Sequence, residues 1–151
     1  METTIQRADA SHLDELTPLF TAYRVFCEQR PDPAAERAYL EERFRLQDSV
    51  IFLARADDAN REALGFVQLY SSFDSVDLSP IWILHDLYVD ADDRRRGTGR
   101  ALMNAARDFC LTTDASRIDL STAVTNIVAQ PLYESLGYEK DEEFYHYSLT
   151  L

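Results

Sequence analysis

The stretch Leu87-Tyr88-Val89-Asp90-Ala91-Asp92-Asp93-Arg94-Arg95-Arg96-Gly97-Thr98-Gly99-Arg100 decides how the rest of the chain is read. An apolar, strand-like run ends at Val89, an acidic link covers Asp90 to Asp93, and glycines two apart then open a segment rich in Ala, Leu and Arg. That is a strand, a loop and a helix N-terminus. A helix start offers unsatisfied N–H groups and a partial positive charge, and glycine lets a ligand approach the backbone, so the arrangement suits a phosphate. The chain is acidic, at formal charge -12, yet Arg94, Arg95, Arg96 and Arg100 cluster here out of 15 Lys+Arg in all. A local cationic patch on an anionic protein calls for an anion. No Lys-Ser/Thr follows the glycines, as a P-loop requires, and no third glycine, as a dinucleotide loop requires, so a different phosphorylated ligand is expected.

Upstream of the loop, Ile81 to Val89 is apolar at most positions on both faces, as a central strand covered on both sides should be. Thr3 to Arg7 reads as a first strand. Asp9 or Ser11 can cap the helix that follows, whose Leu13, Leu16, Leu19, Phe20 and Tyr23 share a face, with Pro18 kinking it or marking its true start. A turn bracketed by Pro31 and Pro33 leads to a second helix from Ala34 to Leu46. Val50 to Ala54 and Leu64 to Phe73 are strands, with Gly65 marking a bulge or a close backbone approach.

Downstream, Leu102, Ala105, Ala106, Phe109 and Cys110 recur at helical spacing, and Ile118 and Leu120 alternate as a strand. Asn126 can cap a helix with the inner stripe Ala129, Leu132, Tyr133 and Leu136, ended by Gly137. Tyr138 to Lys140 and Phe144 to Leu149 read as the last two strands. The order β-α-α-β-β-β-α-β-α-β-β makes an α/β chain.

At 151 residues one domain spanning 1–151 is expected, and 46% hydrophobic with 11% aromatic residues excludes general disorder. No apolar run approaches a membrane span and the start, Met1-Glu2-Thr3-Thr4, lacks a signal-peptide pattern, so a soluble, cytoplasmic protein with no membrane partner is expected. Cys27 and Cys110 read as reduced packing residues. A duplex binder needs a basic face, which argues against nucleic acid.

Arg94-x-x-Gly97-x-Gly99 after that strand, followed by Asn126-x-x-Ala129-x-x-Leu132-Tyr133-Glu134-x-x-Gly137-Tyr138, resembles the GNAT superfamily of acetyl-coenzyme A-dependent N-acetyltransferases. The resemblance implies a mixed, mostly antiparallel twisted sheet with splayed central strands. It implies that backbone N–H groups from about Arg95 to Arg100, Thr98 among them, hold the pyrophosphate of coenzyme A, with the arginine side chains adding charge. The pantetheine arm is then expected beside main-chain groups of Leu87, Tyr88 and Val89, with Asn126 and Ala129 on its other side. No metal is called for, and family members often pair as homodimers.

Acetyl transfer to an alkylammonium, whose pKa is about 10, requires loss of a proton first. His85, with an imidazole pKa of about 6.5, is a candidate base four residues before Val89. Strand periodicity puts Asp86 on the opposite face unless a bulge intervenes. Relatives resembling spermidine/spermine acetyltransferases carry an acidic pair here, so His85, Asp86 and water all stay open as the proton acceptor. Tyr133 falls at the family's acid position, and its phenol can protonate a departing thiolate. Tyr23, Phe26, Glu28 and His146, with His85, are candidates to border the amine. The expected function is acetylation of a small-molecule amine: a polyamine, an amino acid or an amine metabolite. Acetylation of protein N-termini or lysines, and a non-catalytic acetyl-coenzyme A sensor, are the alternatives.

Overall fold

Branched and aromatic side chains dominate Ser49–Ala56 (β2), Ala63–Asp74 (β3) and Ser79–Val89 (β4), and such side chains suit a pleated surface buried on both faces. In the computed structural model, which describes residues 2–58 and 60–151, these three form the middle of a sheet ordered β1-β2-β3-β4-β5. Thr3–Arg7 (β1) pairs antiparallel with β2, β2 with β3 and β3 with β4, whereas Ile118–Leu120 (β5) runs parallel to β4. The expected mixed, mostly antiparallel sheet is therefore present.

Three helices cover it: Leu13–Phe26 (α1), Pro33–Leu46 (α2) and Thr98–Leu111 (α3). Leu16, Leu19 and Phe20 of α1 and Leu40 of α2 pack on Ile51, Leu53, Phe66 and Tyr88. Side chains one position along each strand point the other way. Accordingly Phe52 and Trp82 meet Phe109 of α3, with ring centroids 6.0 and 5.2 Å apart.

Local chemistry sets the ends of these elements. The Asp9 carboxylate and the His12 ring form a reciprocal capping box around a single 3-10 turn, so α1 begins only at Leu13 and Pro18 lies inside it. That helix ends with Glu28 at φ 63, where the Glu28 and Gln29 N–H groups bond the Val25 and Arg24 carbonyls. Asp32 caps α2 by accepting from Ala35 N–H, with Pro33 at the first helical position. A Cβ on Gly65 would lie 2.5 Å from the Tyr88 carbonyl oxygen, so the close approach expected there is real. Cys110 is buried, but Cys27 follows the last turn of α1 and is exposed, not a packing residue.

One irregularity matters for everything that follows. Gln68 of β3 pairs with Asp86 of β4, but the next residue, Leu69, pairs with Leu84. His85 is thus an extra residue, a β-bulge, and from Asp86 onward β4 presents the opposite parity.

The chain divides after Ser121 into two compact units. In the second, Ala129–Ser135 (α4) is closed by a Schellman motif. Tyr138 N–H bonds Tyr133 O at 3.1 Å, Gly137 N–H bonds Glu134 O at 3.1 Å, and Gly137 takes φ 92. Asn126 caps from ahead of the helix, its Oδ1 accepting from Ala129 N–H at 3.4 Å.

The two closing strands expected at 138–140 and 144–149 are not formed. Three local bonds compete with a ladder there: Tyr138 N–H is spent on the helix cap, and the Asp141 carboxylate takes the N–H groups of Glu143 and Phe144. Alternating side chains supply a strand's faces but not its partner. Phe144, Tyr145, Tyr147 and Leu149 are consequently exposed.

Candidate active site

Between the first two helices and the middle of the sheet lies a cavity of about 400 Å3. Aromatic rings of Phe20, Tyr23, Tyr39 and Tyr70 wall it. His85 and Asp86 line it from β4. On a regular strand these neighbours would face opposite ways. The bulge at His85 brings both to one cavity, which is the exception that strand periodicity left open.

The pair is ordered by hydrogen bonds. Gln68, fully buried, donates Nε2–H to Asp86 Oδ2 at 2.7 Å, and Asp86 Oδ1 lies 2.9 Å from His85 Nδ1. A carboxylate can only accept, so Nδ1 carries the hydrogen and Nε2 keeps the lone pair. Asp86 is only 3% exposed, whereas the His85 side chain is 63% exposed. This is an imidazole oriented from behind by a buried acid, with its free nitrogen able to accept a proton.

Two phenols adjoin it. The Tyr23 hydroxyl donates to the His85 carbonyl at 3.5 Å, and Tyr70 packs edge-on to the His85 ring at 5.5 Å while its hydroxyl lies 2.6 Å from that of Tyr39. Burial, reinforced by the Asp86 charge, raises the Tyr23 pKa. Burial and the Tyr39 hydrogen bond do the same for Tyr70. Both therefore stay neutral donors through physiological pH.

Toward α2 the cavity meets Glu36, 2% exposed, which accepts from Arg24 Nη1 at 2.6 Å, from Asp32 N–H at 3.0 Å and from the Thr21 hydroxyl. Burial disfavours the Glu36 carboxylate, but those hydrogen bonds outweigh it and hold its pKa below the ordinary value. A second, larger depression of about 510 Å3 touches His12 and Arg55. There His12 is fixed in its capping box and Arg55 is paired with Glu15, so it offers no free base.

The glycine loop has the expected form. Gly97 sits at φ 91 as the N-cap of α3, and the first helical bond runs from Ala101 N–H to Gly97 O, leaving the intervening N–H groups outside the helix ladder. The buried Thr98 hydroxyl donates to Asp93 Oδ2 at 3.1 Å and anchors the turn. The arginines divide their roles. Arg94 is turned back, donating Nε–H to Val89 O at 2.9 Å with its guanidinium over Phe26 and Tyr88 at 5.4 and 5.5 Å, while Arg96 faces Asp93 at 3.6 Å. Arg95 and Arg100 are exposed. Pairing between β4 and β5 stops at Leu84 with Leu120, so the stretch Leu87, Tyr88, Val89 has no strand on that side among the described residues.

Of the residues expected to border an amine, Tyr23 and His85 line the cavity, while Phe26 is 56% exposed under Arg94 and Glu28 is exposed at its helix end. His146 is exposed in the second unit, its Nε2 3.8 Å from Asp141 Oδ2. In that unit Asn126 Nδ2–H donates to Thr122 Oγ1 at 3.2 Å, and burial raises the pKa of Tyr133, whose ring lies 6.2 Å from that of Tyr138. Sequence reasoning missed Gln68, Tyr39, Tyr70 and Glu36. Only Gln68 carried a signal, as a lone amide inside the apolar run of β3.

The model of the acetyltransferase (GNAT) family matches residues 13–138, and the "Uncharacterized N-acetyltransferase YhfO" of Bacillus subtilis (strain 168) is 39% identical over 147 residues, 97% of either chain. The chain belongs to the GNAT acetyltransferase family. Its GNAT fold superposes on the crystal structure of a "probable acetyltransferase" with TM-score 0.92, 43% identity and coverage of 98% of this chain and 97% of that one. A more distant GNAT-like fold, the aminoglycoside N-acetyltransferase AAC(6')-Iy solved in complex with CoA, superposes with TM-score 0.83 at 22% identity, over 99% of this chain and 96% of that one. This GNAT chain is thus an N-acetyltransferase by family.

Proposed function

We propose that the protein acetylates a primary amine of a small molecule, with acetyl-coenzyme A as donor and direct transfer within a ternary complex. The observation that carries this reading is the bulge in β4, which gives one cavity both an oriented imidazole and its buried acid. His85 Nε2 takes the proton from the incoming ammonium while Asp86 steadies the resulting imidazolium and Gln68 holds Asp86. Tyr133, kept protonated by burial and placed in its motif seven residues after Asn126, gives its proton to the departing thiolate, which leaves as the thiol. The thioester, when bound, supplies the activated acyl group.

The donor fits the chain's own features. The start of α3 at Gly97, whose first-turn N–H groups lie outside the helix ladder, suits a diphosphate, and the side of β4 beyond Leu84 with no strand among the described residues suits an amide-bearing arm. A cavity of about 400 Å3 with aromatic walls favours a small acceptor over a peptide. A homodimer in the cytoplasm completes the reading, supported by the run of exposed apolar residues from Phe144 to Leu151.

Calorimetric titration with acetyl-coenzyme A, followed by thiol release across a panel of free amines and peptides, tests the whole assignment. Binding and turnover with free amines are expected. Binding without thiol release for any acceptor would leave only a sensor. Tyr133→Phe should lower kcat by about 100-fold with the fold intact. Wild-type turnover would remove Tyr133 from the chemistry.

A further inference from the structure

We infer that the acceptor is a dication: a flexible primary amine carrying a second ammonium group and no carboxylate. This rests on the acetyl-transfer reading of the same cavity and narrows it among polyamines, amino acids and other amines.

The cavity is anionic and aromatic together. Three carboxylates, Asp86, Glu36 and Asp32, line it against a single guanidinium, Arg24. That guanidinium is already engaged through Nη1, with Glu36 Oε1 at 2.6 Å and the Arg30 carbonyl at 3.1 Å. Ring faces attract ammonium groups and repel carboxylates. The neutral phenols of Tyr23 and Tyr70 add donors without charge.

The acids are also divided between two elements. Asp86 stands on β4 beside the proposed base, whereas Asp32 and Glu36 stand at the start of α2. A chain with an ammonium at each end meets an acid at each end. The oxygens of Glu36 are spent on Thr21, Arg24 and Asp32 N–H, so the exposed Asp32 carboxylate is the distal anchor.

A carboxylate entering the α2 end finds few donors. Pro33 has no N–H, that of Ala35 goes to the Asp32 side chain, and that of Glu36 goes to the Asp32 carbonyl. The usual anion affinity of a helix start is thereby blunted by its own cap. An α-amino or ω-amino acid would bring its negative end to a site that is already negative.

A matched series isolates the distal group: pentylamine, cadaverine and δ-aminovalerate share a chain and differ only at its far end. By thiol release, kcat/KM should fall by about fivefold from cadaverine to pentylamine and again to δ-aminovalerate, the worth of one partly solvated charge pair at each step. Asp32→Asn keeps the N-cap, since Asn caps as well as Asp, and removes only charge. It should erase the advantage of cadaverine over pentylamine. Calorimetric binding of the three amines without donor gives a second readout that needs no chemistry. Thiol release with δ-aminovalerate matching or exceeding cadaverine would overturn the inference and leave acetyl transfer standing. Selective cadaverine binding, lost in Asp32→Asn, with no thiol release from any amine would do the reverse. Equal binding and equal turnover of all three would also overturn it.

Discussion

Asp86 is enclosed, charged and bonded on both oxygens, so what stands at position 86 dictates which nitrogen of His85 is bare. An asparagine there presents an N–H₂ group that can donate to Nδ1, which moves the ring hydrogen to Nε2 and removes the proposed proton acceptor. Asp86→Asn is therefore expected to depress kcat by about 100-fold or more while leaving the KM for acetyl-coenzyme A near its wild-type value. His85→Ala should fall as far. If His85→Ala retains most turnover while Asp86→Asn does not, Asp86 itself takes the proton; if neither falls, water does. Burial lifts the Tyr133 phenol above its ordinary value of 10.0, so the proposed acid is expected to stay protonated and cost no rate through neutral pH.

At the scale of elements, two contacts set how the site is held. Gly97 caps α3 with φ 91, and although open space surrounds the position, a side chain there must adopt a left-handed backbone. Gly97→Ala should lower stability by about 1 kcal/mol and weaken acetyl-coenzyme A more than any amine, as denaturant melts and calorimetry would show. Glu36 ties α2 to Arg24 and Thr21 of α1. Its pKa is lower folded than unfolded, so the stability it adds is present above the ordinary value of 4.5 and is lost as pH falls through the folded value. Glu36→Ala should cost about 2 kcal/mol in urea unfolding at pH 7, and the gap from wild type should close below pH 4.5. Elements were the most legible level of the sequence, because Leu16, Leu19, Phe20 and Leu40 on helices, or Ile51, Leu53 and Phe66 on strands, declare their period directly. The bulge was not legible, since a His-Asp step looks the same with or without it. Nor was the left-handed Glu28, which ends α1 where a glycine would have announced the stop.

At the scale of the whole molecule, a strand pattern without a partner explains the one architectural misreading. Tyr145, Tyr147 and Leu149 alternate as a strand should, but a ladder needs a neighbour, and neighbours are not written in periodicity. Exposed at 89%, 90% and 86%, these side chains are the surface proposed to join two copies. Deleting residues 142–151 should halve the mass found by light scattering at micromolar concentration. An unchanged mass would move the subunit contact elsewhere, and a monomeric wild type would dismiss it.

The odd residue in the fourth strand also makes that strand a sorting device. Trp82 and Leu84 share a parity in the chain with Asp86 and Tyr88, yet Trp82 meets Phe109 of α3 while Tyr88 packs with Leu16 and Phe66 under α1. Excising His85 would not merely delete an imidazole. It would turn Tyr88 out of one layer of packing and Asp86 out of the cleft in a single stroke, so chemistry and folding at this point stand or fall on the same count of residues.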